Sequence, residues 1–294
     1  MTASLPWGSA AELAEAMGGR GYLADRGLTT AIYLSHALER PLFLEGEAGV
    51  GKTAVAEVMA DLLEAPLIRL QCYEGIDAPQ ALYDWDYPKQ YLSLRTASEG
   101  GPGAVEDVYS ERFLLERPLL RTLRSSERPV LLIDEIDRAD DEFEAFLLEI
   151  LSTYTITIPE LGTIAAERPP LAILTSNRTR DVHDALKRRC LYHFIQHPDV
   201  EREAKIIRLQ VPAASEELAR TIARVLDRLR ALPLIKPPSV AESIEWAKAL
   251  GVLGVQQPTV ADAADTLGAL VKHEEDLGPA RVALAQLLGE DGGA

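Results

Sequence analysis

The stretch Pro41 to Thr53, Pro-Leu-Phe-Leu-Glu-Gly-Glu-Ala-Gly-Val-Gly-Lys-Thr, limits what this chain can fold into more than any other segment. A short apolar run enters a glycine-punctuated turn, and Lys-Thr then opens a pattern that is apolar at helical spacing through Ala54 to Leu63. Strand, loop and helix in that order make a phosphate-binding loop. Gly46, Gly49 and Gly51 are expected to supply the positive φ values of a tight wrap. The backbone N–H groups of Gly46, Glu47, Ala48, Gly49, Val50 and Gly51 would then converge on an anion at the helix N-terminus. Lys52 is placed to reach β- and γ-phosphates, and Thr53 to offer its hydroxyl to a bridging Mg²⁺. Two glycines and a Lys-Thr pair also recur by chance, and the flanking strand and helix patterns argue against that here.

A second anchor lies at Pro129 to Glu135, an apolar strand ending in two carboxylates. Such a strand delivers Asp134 to its C-terminal end, where it can hold the water shell of Mg²⁺, while Glu135 can orient and deprotonate an attacking water. Leu171 to Asn177 is another buried strand with a polar end; Asn177 either bonds a γ-phosphate or the lytic water, or merely opens the next turn. Further strands are expected at Pro66 to Cys72 and Leu191 to Ile195. Helices are expected at Ala10 to Met17, Thr29 to Leu38, Leu114 to Leu123 and Asp140 to Leu151, the last capped by Asp140 or Asp141. Tyr154 to Ala166 reads as a hairpin. The aromatic segment Ala81 to Tyr87 should pack locally, and Ser98 to Gly103 reads as a mobile loop.

Tyr22, just upstream, is a candidate to stack on an adenine, with a half-buried structural aromatic as the other reading. Arg188 and Arg189 close a helix immediately before a strand, where they either complement the helix dipole or serve a site. His193 and His197 are spaced by four on a strand end, which is no metal-ligand signature. From Asp199 onward helical patterns dominate, at Val200 to Leu209, Glu216 to Arg230, Val240 to Leu250 and Thr259 to His273, with a frayed tail from Gly289. The shift divides the chain into residues 1–198, α/β, and 199–294, all helical.

Composition sets outer limits. A 294-residue chain that is 47% hydrophobic can bury one large core and a smaller one. A formal charge of −16 disfavours a broad phosphate-backbone footprint, so no nucleic-acid partner is expected. The absence of a long apolar run and of a secretory start predicts a cytoplasmic protein without membrane contact. Two isolated cysteines, Cys72 and Cys190, are expected to be buried and apolar in role.

Together the loop, the Asp134-Glu135 strand, the polar end at Asn177, the paired arginines and the helical C-terminal part resemble the AAA+ ATPases. Leu132 to Ala139, the hairpin before Asn177 and the break after the second strand look like the MoxR type of assembly chaperones. Thr175 to Arg180 and Ala185 to Cys190 look closest to the branch associated with carbon monoxide dehydrogenase maturation. The resemblance implies a parallel five-stranded αβα P-loop sandwich with a C-terminal helical lid, assembled as a homo-oligomeric, hexameric ring. It implies ATP and Mg²⁺ as cofactors, and a von Willebrand A-domain protein and a client enzyme complex as partners. By position, Lys52 and Thr53 match Walker A, Asp134 and Glu135 Walker B, Asn177 sensor 1, and Arg189, or else Arg188, the arginine finger. Where the family often carries a sensor 2 arginine this chain has Pro238-Ser-Val-Ala241, with Lys236 as a substitute. A DNA-acting motor and a nucleotide-gated scaffold with little turnover are the competing functions, the latter disfavoured by Glu135.

Overall fold

A computed structural model describes residues 6–99 and 108–290. In chain order it contains α1 (Ala10–Gly19), α2 (Arg26–Leu38), β1 (Leu42–Glu45), α3 (Lys52–Leu62), β2 (Leu67–Gln71), α4 (Ala78–Ala81), β3 (Tyr83–Trp85) and α5 (Tyr87–Glu99). There follow β4 (Leu114–Glu116), α6 (Pro118–Leu123), β5 (Val130–Asp134), α7 (Asp141–Thr153), β6 (Thr155–Ile158), β7 (Gly162–Ala165), β8 (Leu171–Ser176), α8 (Asp184–Arg189) and β9 (Leu191–Phe194). The rest is helical: α9 (Val200–Gln210), α10 (Glu216–Arg230), α11 (Val240–Val252), α12 (Val260–Asp265) and α13 (Glu274–Glu290).

Two compact units share these elements. The first is formed by the described residues up to Leu13, by Arg26–Glu45 and by those between Val55 and Phe194; the second by Ala14–Asp25, Gly46–Ala54 and the described residues from Ile195 on.

The first unit is built on a five-stranded parallel sheet in the order β2-β5-β8-β1-β9, with flanking helices. Its middle is set by composition: Val-Leu-Leu-Ile-Asp of β5 and Leu-Ala-Ile-Leu-Thr-Ser of β8 are buried at every position, as strands covered on both faces must be. At the edge, β2 alternates exposed and buried residues and so needs only one apolar side. Register aligns Gln71 with Asp134 and Glu45 with both Ser176 and Phe194, which brings the polar strand ends to one edge of the sheet. Strand order reverses beside β1, and ligand crevices in such sheets open at the carboxyl ends of the strands.

Three expectations are corrected. Leu114 to Leu123 is not one helix: Leu114–Glu116 pairs antiparallel with Tyr83–Trp85, and the helix starts only at Pro118. Proline pushes the preceding Arg117 out of the α region and is itself well suited to the first helical position. Secondly, Thr259 to His273 breaks at Thr266, whose hydroxyl accepts from the buried Trp246 indole at 2.7 Å, and a separate 17-residue helix, α13, follows. Finally, α5 continues through Ser98 to Glu99, and the rest of the expected loop lies outside the described residues, as do the last four residues of the tail. The aromatic segment does pack locally, Trp85 meeting Tyr83 and Tyr109 edge-on.

The hairpin forms as β6 and β7, with Thr157 opposite Thr163 and their hydroxyls 3.0 Å apart. In the second unit, α10 buries Leu218, Ala219, Ile222, Ala223, Val225, Leu226 and Leu229 along one stripe. Each of its large side chains contributes about 1.5–3 kcal/mol by leaving water. A buried bidentate pair, Arg230 to Glu203 at 2.6 and 2.8 Å, ties α10 to α9, and the Arg230 Nε donates to the Pro238 carbonyl at 2.7 Å.

Candidate functional site

In the second unit the glycine-rich loop runs from Gly46 into α3. Gly49 and Gly51 take φ of +75° and +95°, as the wrap requires. Gly46 is needed for a different reason: it lies outside the positive-φ set, and a Cβ there would sit 2.5 Å from the Ile195 carbonyl oxygen. Gly49 carries both constraints, since an added Cβ would meet the Ser239 Oγ at 2.0 Å. The Lys52 ammonium is buried and donates to the Gly46 and Glu47 carbonyls at 2.8 and 2.6 Å, folded over the loop that it opens from. Thr53 follows it in the first turn of α3 and is half-buried. Glu47 and Ala48 form the exposed crown and Val50 turns inward. The Glu47 carboxylate meets the His197 Nε2 at 3.1 Å.

Tyr22 lies against this loop. Its hydroxyl donates to the Gly51 carbonyl at 3.3 Å, and burial pushes its phenol pKa up. The segment before α11 approaches from another side: Ala241 N–H donates to the Gly49 carbonyl at 3.3 Å, and Ser239 and Glu242 close a capping box. Asp276, buried, accepts from the Ile235 and Lys236 N–H groups at 2.8 and 3.1 Å, fixing the backbone at Lys236.

In the first unit Asp134 and Glu135 end β5. Asp134 is buried; its Oδ2 accepts from Arg69 at 2.5 Å and its Oδ1 from the Thr175 hydroxyl at 2.5 Å. That hydroxyl also accepts the Glu135 N–H at 3.0 Å, so one threonine orders both carboxylate residues. Glu135 turns out of the strand in the left-handed region, φ +55°, a conformation that a non-glycine residue holds only where its surroundings fix it. Its carboxylate accepts from Asn177 Nδ2 at 3.1 Å, Gln71 Nε2 at 3.1 Å and Arg138 Nε at 2.9 Å. Asp137 braces the next loop, accepting from the Asn177 and Thr179 N–H groups and the Thr179 hydroxyl. The Arg188 and Arg189 pair ends α8; Arg189 donates to the Ser152 carbonyl at 2.6 Å, and Arg188 is exposed. Cys72 and Cys190 are free and buried, and burial pushes both thiols up to about 12.

Within this unit, then, Asp134, Glu135 and Asn177 come together, and Arg188 and Arg189 sit apart from them. The sequence reading missed Arg69, Gln71, Arg138 and Thr175. Gln71 carried a usable signal: a polar residue ending an apolar strand, like Asn177. Arg69 did not, since an arginine inside a strand reads as its solvent face. No helix among the described residues is long and apolar enough to cross a membrane, and they hold no cluster of three or more His, Cys, Asp or Glu suited to a metal.

A glycine-wrapped lysine after β1 and a braced Asp-Glu pair at the end of β5 define a P-loop nucleotide-binding fold. Residues 41–190 match the AAA domain (dynein-related subfamily), and the chain belongs to that family of AAA+ ATPases. Uncharacterized proteins of Staphylococcus epidermidis and Staphylococcus saprophyticus are each 22% identical over 219 residues, 72% of this chain and 76% of theirs. Among solved structures, the Thermotoga maritima RuvB Holliday junction branch migration motor aligns with 83% of this chain and 67% of its own, at 17% identity and TM-score 0.46. A point variant of that motor aligns at 18% identity and TM-score 0.49, over 85% and 69%.

Proposed function

We propose that this chain hydrolyses ATP with Mg²⁺ as a ring-forming ATPase of the MoxR type, and uses the turnover to remodel, or mature the metal cofactor of, a client complex. In this reading Lys52 and the loop N–H groups hold the phosphates, Thr53 and Asp134 hold the Mg²⁺, and Tyr22 borders the nucleotide. Bound Mg²⁺ would neutralise phosphate charge as it develops. Glu135 is the general base, Asn177 orients it and the attacking water, and Arg189 or Arg188 acts on a neighbouring copy. Residues 1–198 are assigned to nucleotide binding and 199–294 to a lid, with Lys236 as its cationic contact. Cytoplasmic location and a von Willebrand A-domain partner complete the proposal.

The observation that carries it is the Glu135 carboxylate, presented at the end of β5 by three donors, next to an Asp134 fixed by Thr175.

Turnover of Mg-ATP by purified protein tests it. Lys52→Ala should abolish nucleotide binding, whereas Glu135→Gln should bind ATP normally and lower kcat by about 10²-fold or more. Wild-type turnover in Glu135→Gln would remove Glu135 from the role of base.

A further inference from the structure

Each carboxylate of the Asp134 and Glu135 pair is met by an arginine that is itself half in solvent: Arg138, 54% exposed, on Glu135, and Arg69, 51% exposed, on Asp134. Arg138 lies three residues along the chain from its partner, within reach through one helical turn. Arg69 is brought to its partner by the sheet. The parallel register of β2 and β5 sets Gln71 opposite Asp134, and the alternation of a strand puts Arg69 on the same face as Gln71. From that position the Arg69 Nη2 donates to Asp134 Oδ2 at 2.5 Å and to Gln71 Oε1 at 2.6 Å. As β2 is the edge strand of the sheet, the guanidinium keeps a way out to water.

A carboxylate that is 4% exposed is costly to hold charged by itself, and Arg69 offsets that charge. The same oxygens suit a hydrated Mg²⁺, a hard cation that keeps most of its waters and lets them donate to carboxylates. A carboxylate has about four acceptor positions, so the hydrogen bonds from Thr175 and Arg69 do not by themselves bar a water of the metal. They do decide what that water must contend with. A guanidinium on Oδ2 repels a divalent ion drawn to Asp134 and draws on the same negative charge. Arginine does not give way by losing its proton; it gives way by moving, and a half-exposed, weakly hydrated guanidinium moves into water at small cost.

We infer that Arg69 is an internal counter-ion that competes with Mg²⁺ for Asp134, so that the divalent ion is taken up as the guanidinium swings away. Arg69 thereby sets the Mg²⁺ concentration at which the site loads. The inference rests on the proposed role of Asp134 in holding Mg²⁺.

Fluorescence titration of mant-ADP onto the full-length chain at stepped Mg²⁺ concentrations reads the competition, as the Mg²⁺ concentration that gives half of the gain in nucleotide affinity. Arg69→Gln should lower that concentration by about three- to tenfold, and Arg69→Lys, which keeps the charge, should lower it less. An unchanged or raised concentration in Arg69→Gln, or an equal shift in Arg69→Lys, would overturn the competition. Asp134→Asn, alone and combined with Arg69→Gln, should abolish the Mg²⁺ dependence. A dependence that survives Asp134→Asn, or that is missing from the unaltered chain, would remove Asp134 from the metal and the inference with it. Loss of the dependence in Asp134→Asn without a shift in Arg69→Gln would strike Arg69 alone and leave the Asp134 assignment standing. The unaltered chain supplies a second readout that needs no folded Arg69 variant. With ADP bound throughout, added Mg²⁺ should raise the labelling of Arg69 by phenylglyoxal, followed by peptide mass spectrometry, and in Asp134→Asn the labelling should be high with or without Mg²⁺. Labelling of Arg69 that Mg²⁺ leaves unchanged or lowers would rule out the displacement.

Discussion

Glu135 shows how much of the candidate site is decided by single side chains that do no chemistry. Its carboxylate accepts from Gln71, Asn177 and Arg138, which together hold it in one orientation at the end of β5. Gln71→Ala removes one donor while Asn177 and Arg138 still orient the group. Losing one of three orienting contacts on the proposed base should lower turnover by about two- to tenfold, the worth of one hydrogen bond, with ATP affinity unchanged. Steady-state kinetics beside equilibrium nucleotide binding checks this, and an unchanged kcat would show that Asn177 and Arg138 suffice to orient the carboxylate. The sequence made Glu135 legible because a carboxylate pair ending an apolar strand is a local pattern. Gln71 and Thr175 were not legible, because their contacts depend on which strands become neighbours. Register beside β5 puts Gln71 opposite Asp134 and brings Thr175 within 2.5 Å of it, and no spacing within one strand encodes that pairing.

Elements were readable where one force dominated. The stripe of α10 and the continuous apolar runs of β5 and β8 predicted their own boundaries, because burial on one face or on both fixes the period. The Leu114 to Leu123 segment misled because a short strand and a short helix share one apolar run, and only Pro118 marks the change. Likewise α13 was hidden by Gly278 and Pro279, which ordinarily end helices; here an acidic first turn, Glu274 to Asp276, precedes them and complements the helix dipole. Since α10 carries the core of the second unit, Leu226→Ala should cost about 2–5 kcal/mol in denaturant unfolding. A loss below about 1 kcal/mol would mean that the surrounding helices collapse into the space, contrary to the close packing expected of a buried stripe.

At the scale of the whole molecule the questions are assembly and partner. An arginine delivered by a neighbour is worth on the order of 10³-fold or more in turnover, so specific activity should rise steeply with protein concentration and collapse in Arg189→Ala or, if the roles are exchanged, Arg188→Ala. Constant specific activity down to concentrations at which light scattering shows single copies would defeat this. With 46 acidic against 30 basic residues, the chain offers a nucleic-acid backbone little from which counterions could be released. Its hairpin, β6 and β7, presents Thr155, Thr157 and Thr163 and carries no lysine or arginine. Hydroxyls on a two-stranded ribbon can exchange hydrogen bonds with polypeptide, whereas gripping phosphates at physiological salt needs fixed positive charge. Turnover should therefore respond to the proposed von Willebrand A-domain partner and ignore both duplex and single-stranded DNA. Thr157→Lys in the hairpin should weaken the protein response without creating a DNA response, because one added charge contributes only a small electrostatic increment. Stimulation by DNA with indifference to the protein partner would reverse the assignment and make the chain a nucleic-acid motor.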